Sequence, residues 1–130
     1  MNKHVYTGAR ILLGLIFFVF GLNGFLNFIP QPPMEDPTVL AFMGGLMGSG
    51  YFFPVLKATE VICGALLLAN WYVPLALVIL APITLNIVLF HRILMPGPPL
   101  DLVMLVLHGL LGWGYQAAYK PLFMKKSTPK

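Results

Sequence analysis

The sequence predicts an all-α, polytopic membrane protein: a four-transmembrane-helix bundle with a short amphipathic interfacial helix between helices 1 and 2. Three observations predict it. Of 130 residues, 58% are hydrophobic and 9% are charged, whereas a soluble domain carries about a quarter charged residues. Mean hydropathy is +0.85. Four long apolar stretches are separated by short polar or proline-rich connections. A span needs roughly 20 apolar residues, so four would use about 80 and leave short loops.

A single transmembrane domain is expected over residues 1–130. The first apolar stretch, residues 6–29, follows a basic lead. It is too long for a signal peptide, no small-x-small cleavage site follows, and further spans come after it, so it reads as a retained helix. Arg10, Gly14, Phe17, Gly21 and Gly24 recur at alternating four and three spacing, a stripe whose small residues allow close helix approach. Pro30 stops this helix. The acidic connector PQPPMEDP leads to Asp36–Pro37, an N-cap and N1 pair for a helix over 38–47 that is too short to span. The second span is expected over 51–70, with Pro54 in its first turn. A tight connection with Trp71 and Tyr72 follows, carrying aromatics suited to an interface. The third span, 73–94, contains Pro82, which should kink it and free a carbonyl one turn earlier. MPGPP then turns the chain into a fourth span over 100–119, and a basic tail occupies 120–130.

The net charge of +4 does not make a nucleic-acid surface, because the basic residues form no stripe along a soluble face. They order the topology instead. Four spans put both termini and the 70–72 connection on one side, with Lys3, Arg10, Lys120, Lys125, Lys126 and Lys130 and no acid. The other side holds Arg92 with Glu35, Asp36 and Asp101. Lysine and arginine favour the cytoplasmic side, so both termini are expected there, in a cell (inner or plasma) membrane. Cys63 is the one cysteine, excluding an intrachain disulfide or CxxC pair.

The chemistry-bearing stretch is LKATEVICGALLL, residues 56–68. Ionisable groups are costly at bilayer depth and mark functional sites. Lys57 and Glu60 share one helix face. Counting from the outer ends of the spans, Glu60 and His108 both fall ~12–13 Å deep, with Lys57, Asn23 and Asn86 at ~8–10 Å and His91 and Asn27 shallower. Polar groups from all four spans thus share one half of the bundle. In the fourth span Asp101, Leu105, His108, Gly112, Tyr115 and Tyr119 form a seam at four and three spacing. Glu60 and His108 are the candidate catalytic pair. Lys57, Glu60, Asn23, Asn86, His91, His108 and Tyr115 are the candidate ligand-binding residues. The same residues also suit a purely structural role as interhelical hydrogen bonds. No spacing for haem, metal, nucleotide or nucleophile-elbow sites is present.

Three segments, ARILLGLIFFVFGLNG (residues 9–24), TEVICGALLL (59–68) and NIVLFH (86–91), occur in an order that resembles the DoxX family of small four-helix membrane proteins. The recurrent family positions fall on Arg10, Gly14, Phe17, Gly21, Glu60, Gly64, Asn86 and His91. Many members carry a lysine shortly after the glycine matching Gly21, where this chain has Gly24 flanked by Asn23 and Asn27. The resemblance implies either a redox-associated subunit or a non-enzymatic scaffold, assembly or trafficking factor. In the first case relatives are linked to quinone as acceptor and are often labelled oxidoreductases. Electron transfer would then need a bound quinone or a soluble redox partner, and transport of a solute would need a homo-oligomer. The lipid bilayer is the expected common partner.

Overall fold

The structure, a computed structural model, describes residues 3–27, 35–97 and 99–129. Among them are six α-helices and no strand: α1 (Lys3–Leu26), α2 (Pro37–Gly48), α3 (Phe52–Ala69), α4 (Val73–Leu89), α5 (Leu100–Gly114) and α6 (Gln116–Tyr119). A π-helical turn, Phe90–Leu94, prolongs α4, and a 3-10 turn, Lys120–Phe123, follows α6. Three helices are long and apolar enough to cross a membrane: Lys3–Leu26, Phe52–Ala69 and Val73–Leu94. At 15 residues α5 is shorter. The helix expected over 100–119 is interrupted at Tyr115, where the backbone leaves helical geometry before α6 begins.

Local chemistry sets the ends of the elements. α1 starts three residues earlier than the apolar pattern suggests and ends before Asn27, which takes the left-handed conformation (φ 52°) and returns its N–H to the Asn23 carbonyl at 2.8 Å. Asparagine is among the few residues that tolerate that conformation. Most of the PQPPMEDP connector lies outside the described residues, but its last part behaves as expected. Asp36 caps α2 by accepting from the Thr38 N–H at 2.8 Å, with Pro37 in the first turn. Ser49 links α2 to α3: its hydroxyl donates to the Leu46 carbonyl and accepts from the Phe52 N–H. Asn70 caps the end of α3 and Tyr72 the start of α4, both left-handed, so the chain reverses within three residues. Pro82 is accommodated inside α4, and the departure from α-helical geometry comes later, at Phe90–Leu94.

Packing runs α1 against α3, α3 against α4, α4 against α5, and α5 back against α1, which closes a ring of four helices. α2 leans on α3, and its Phe42 ring stacks at 5.7 Å on Phe90. The core between the four is apolar and narrow: Leu13 and Phe17 from α1, Leu67 from α3, Ala76 and Leu80 from α4, and Leu111 from α5 are essentially fully buried. The opposite faces expose Ile11, Leu15, Ile62, Val78, Leu85 and Val106. Helices that are apolar on their outward faces as well as their inner ones belong in lipid.

α1 and α3 make the most extensive and closest contact. A Cβ added at Gly64 would lie 2.6 Å from the Phe18 amide nitrogen, and one at Gly14 would lie 3.0 Å from the Leu67 Cβ. One at Gly21 would lie 2.8 Å from a Val61 methyl. The stripe read from the sequence is therefore a true backbone-to-backbone seam. The Gly44/Gly48 pair in α2, by contrast, faces open space. Gly64→Ala should lower stability in detergent by about 1–3 kcal/mol, because the clash is with backbone. Gly109→Ala, where a Cβ meets nothing within 4 Å, should leave the thermal midpoint unchanged or slightly raised.

Candidate functional site

The buried polar side chains sort into separate groups rather than one ring. The first lies on the α1–α3 seam. Lys57 Nζ stands 3.5 Å from Glu60 Oε2, one turn apart on α3. Glu60 is 3% exposed, while the Lys57 side chain keeps 22% of its surface. The glycine stripe of α1 brings this pair in: Gly21 lies against the Glu60 Cβ, and Gly24 against the aliphatic stem of Lys57. Asn23 is buried on the same helix, between those two glycines in sequence. The resulting site pairs a buried carboxyl group with a partly exposed amine on the α1–α3 seam of an apolar bundle.

The second group joins α4 to α5. His108 Nε2–H donates to the Leu77 carbonyl at 2.8 Å, in the turn preceding Pro82. That bond fixes the proton on Nε2, so in the neutral ring Nδ1 accepts from the Thr84 hydroxyl, 2.9 Å away. Counting residues gives His108 and Glu60 a similar depth, but His108 spends both ring nitrogens on α4. The partnership with Glu60 expected from depth is thus replaced by a hydrogen-bonded link between helices. Depth fixes a position along the bundle axis and says nothing about direction around it. Thr84 completes the pair, and its buried side chain was visible in the sequence only as one polar residue of an apolar span.

The third group closes the turn between α4 and α5. Arg92 Nε and Nη2 each donate to a different oxygen of Asp101 at 2.9 Å, and Nη2 also reaches the Gly97 carbonyl at 3.5 Å. Asp101 is 2% exposed. Such a two-pronged fork is the strongest common ion-pair geometry. Opposite charges flanking a short proline-rich turn were the available signal. His91, in the same π-helical turn, bonds back to the Ile87 carbonyl at 2.8 Å and packs edge-on against Phe90. Asn86 is exposed on the outer face of α4. It lies about 200° around the helix from buried Thr84, so the two cannot face inward together.

The α5 seam is also shifted. Asp101, Met104 and Leu111 are buried, with His108 partly buried, whereas Leu105 is 43% exposed. Tyr115 stands at the far end of the bundle from Glu60, in a cleft lined by Arg10 and Asn70. There Arg10 Nη1 donates to the Leu67 and Leu68 carbonyls, the last turn of α3. A cation at a helix C-terminus satisfies carbonyls that have no helical partner and complements the helix dipole. Tyr119 extends the pattern by donating to the Pro74 carbonyl at 2.8 Å.

The glycine-lined seam, Arg10 at the end of α3 and the buried glutamate all lie within one stretch of chain, and the DoxX family model matches residues 5–92. The chain belongs to the DoxX family. The match takes in α1 from its third residue, α2, α3, α4 and the start of the π-helical turn, hence Arg10, Asn23, Lys57, Glu60, Asn86 and His91, and stops before α5 with His108 and Tyr115. No curated protein and no solved structure matches the chain.

His108→Phe removes both hydrogen bonds while keeping a ring of similar size, and should cost about 0.6 to 2 kcal/mol, the range for interhelical bonds in membranes. The check is equilibrium unfolding in mixed micelles. Asp101→Asn breaks the fork and should make the Met95 and Gly97 amides, which lie among prolines in the α4–α5 turn, exchange hydrogen faster, with little change in α1 and α3. Hydrogen exchange by mass spectrometry reads this directly.

Proposed function

We propose that this DoxX protein is a four-span subunit of the cell membrane that binds a small polar or quinone-like head group at the Lys57–Glu60 edge of the α1–α3 seam. In this reading α5 with α6 forms the fourth span, α2 lies along the membrane interface, and both termini are cytoplasmic. The observation that carries the binding role is the burial of Glu60. A buried ion pair is weak as a source of stability, since desolvation offsets most of the attraction. In a membrane helix such groups mark sites of function.

The donor set suits a ligand with hydrogen-bond-accepting oxygens. Lys57 presents an ammonium with exposed surface from the lipid side, Asn23 carries an amide, and Glu60 can take or release a proton. A quinone fits that description, and when bound it would supply the electron-accepting chemistry that side chains lack. The protein's own residues would orient the head group and hold a proton at the Glu60 carboxyl. Any redox role then requires a partner that delivers electrons.

Decylubiquinone added to the protein in nanodiscs should raise the thermal midpoint of the wild type. Glu60→Gln, which keeps the shape of the side chain and a hydrogen-bond acceptor, should lose at least most of that rise while unfolding within a few degrees of the wild type without ligand. No rise in the wild type, or an equal rise in both, would sink the binding role.

One observation favours a second reading, in which the protein is a membrane scaffold or assembly factor. His108, Tyr119 and Arg10 all bond main-chain carbonyls of neighbouring helices, which is the signature of polar groups that fix packing. That reading predicts an equal or absent ligand response in the same experiment. The topology has its own test. With Cys63 buried, a Ser127→Cys variant should react with a membrane-impermeant maleimide only after the cells are permeabilised.

A further inference from the structure

The end of the bundle carrying the chain termini holds an open cleft of about 230 Å³, lined by Lys3, Tyr6, Thr7, Arg10, Asn70, Gly114 and Tyr115. Two cationic side chains, three hydroxyls and an amide converge there, and every polar group among them can donate a hydrogen bond. No carboxylate lines it. Arg10 engages the α3 carbonyls through Nη1. Its guanidinium has five N–H donors, so it can hold the helix end and still present donors to the cleft. Gly114 lets the Tyr6 ring lie directly against the α5 backbone at the cleft wall: a Cβ there would meet the ring at 2.5 Å.

Its surroundings place the cleft at the level of lipid head groups. Trp71, Tyr72 and Trp113 are each more than 60% exposed at this end of the bundle. Exposed tryptophan and tyrosine settle at the boundary between acyl chains and water. Arg10 lies seven residues into α1, ~10 Å along the helix from Lys3. The cleft therefore runs from the water side toward the acyl boundary. Basic pockets between membrane helices in this position recognise phosphorylated head groups.

We propose that this cleft binds a phosphate-bearing anion, and that its source is the head group of an anionic phospholipid in the leaflet facing the termini. Arg10 and Lys3 pair with the phosphate oxygens, and the hydroxyls of Thr7, Tyr6 and Tyr115 complete its hydrogen bonds. The site is separate from the Lys57–Glu60 edge, which lies toward the opposite end of the bundle, and stands whether or not that edge binds a ligand.

Native mass spectrometry of the full chain, released from nanodiscs of phosphatidylcholine containing phosphatidylglycerol, tests this. The wild type should retain a phosphatidylglycerol adduct. Lys3→Glu, which reverses one charge on the cleft wall, and Thr7→Trp, which fills the cleft, should each lower retention at least fivefold. Neither residue is buried, and circular dichroism confirms that both variants fold. The double variant Lys125→Glu, Lys126→Glu removes more charge from the same end outside the cleft and should retain the lipid as the wild type does. Equal retention by Lys3→Glu, Thr7→Trp and wild type overturns the site, as does a loss in the tail variant of the same size. Displacement of the lipid by millimolar inorganic phosphate would support the anion site and overturn the lipid as its source.

Discussion

The close approach of α1 and α3 is the constraint on which the rest of the structure depends. Gly14 and Gly21 on one helix and Gly64 on the other bring backbone against backbone, so that a methyl group at Gly64 would sit within 2.6 Å of a main-chain nitrogen. In lipid no hydrophobic drive pushes helices together, and dispersion between closely fitted surfaces has to supply association. Two further features follow from that contact. Arg10 comes within reach of the last carbonyls of α3. Glu60 loses its solvent because α1 lies against its Cβ with no side chain between them. The same approach that stabilises the pair therefore also creates the buried charge.

Much of this fold was legible in the sequence because lipid imposes simple rules. Apolar length marked the three helices long enough to cross a membrane, Asp36–Pro37 marked the start of α2, and Asn70 to Tyr72 marked a reversal. The Lys57–Glu60 pair was also legible, since helical spacing alone sets their distance. Partners across helices were not. Rise per residue gives depth, but azimuth depends on how each helix is rotated in the bundle. His108 matched Glu60 in depth yet faces α4, and Asn86 has family-position company with His91 yet points outward. The Tyr115 break was equally hidden, because nothing in YQAAYKP distinguishes an interrupted helix from a continuous one by composition.

Main-chain carbonyls explain the remaining misses. Arg10, His108 and Tyr119 each spend a donor on a backbone oxygen of another helix. Such an acceptor has no residue identity, so no sequence pattern announces it. The arrangement also has a physical advantage in a low-dielectric medium. A buried donor facing a backbone carbonyl is satisfied without burying a second ionisable group, which would carry its own desolvation cost.

These tethers divide the bundle into two pairs of unlike character. α1 and α3 are joined by shape, through glycines, with Arg10 at one end and the Glu60–Lys57 pair toward the other. α4 and α5 with α6 are joined by polar bonds at three levels: Arg92 with Asp101, His108 with Thr84 and Leu77, and Tyr119 with Pro74. These polar groups are consumed in holding the second pair together. In the first pair, packing already holds the helices, so the charges of Lys57 and Glu60 are not needed for that purpose. The family match covers all but the first two residues of the first pair and stops before α5. Glycine packing thus leaves the α1–α3 pair free to carry a costly ion pair, and it is there that a ligand-facing role has a physical rationale.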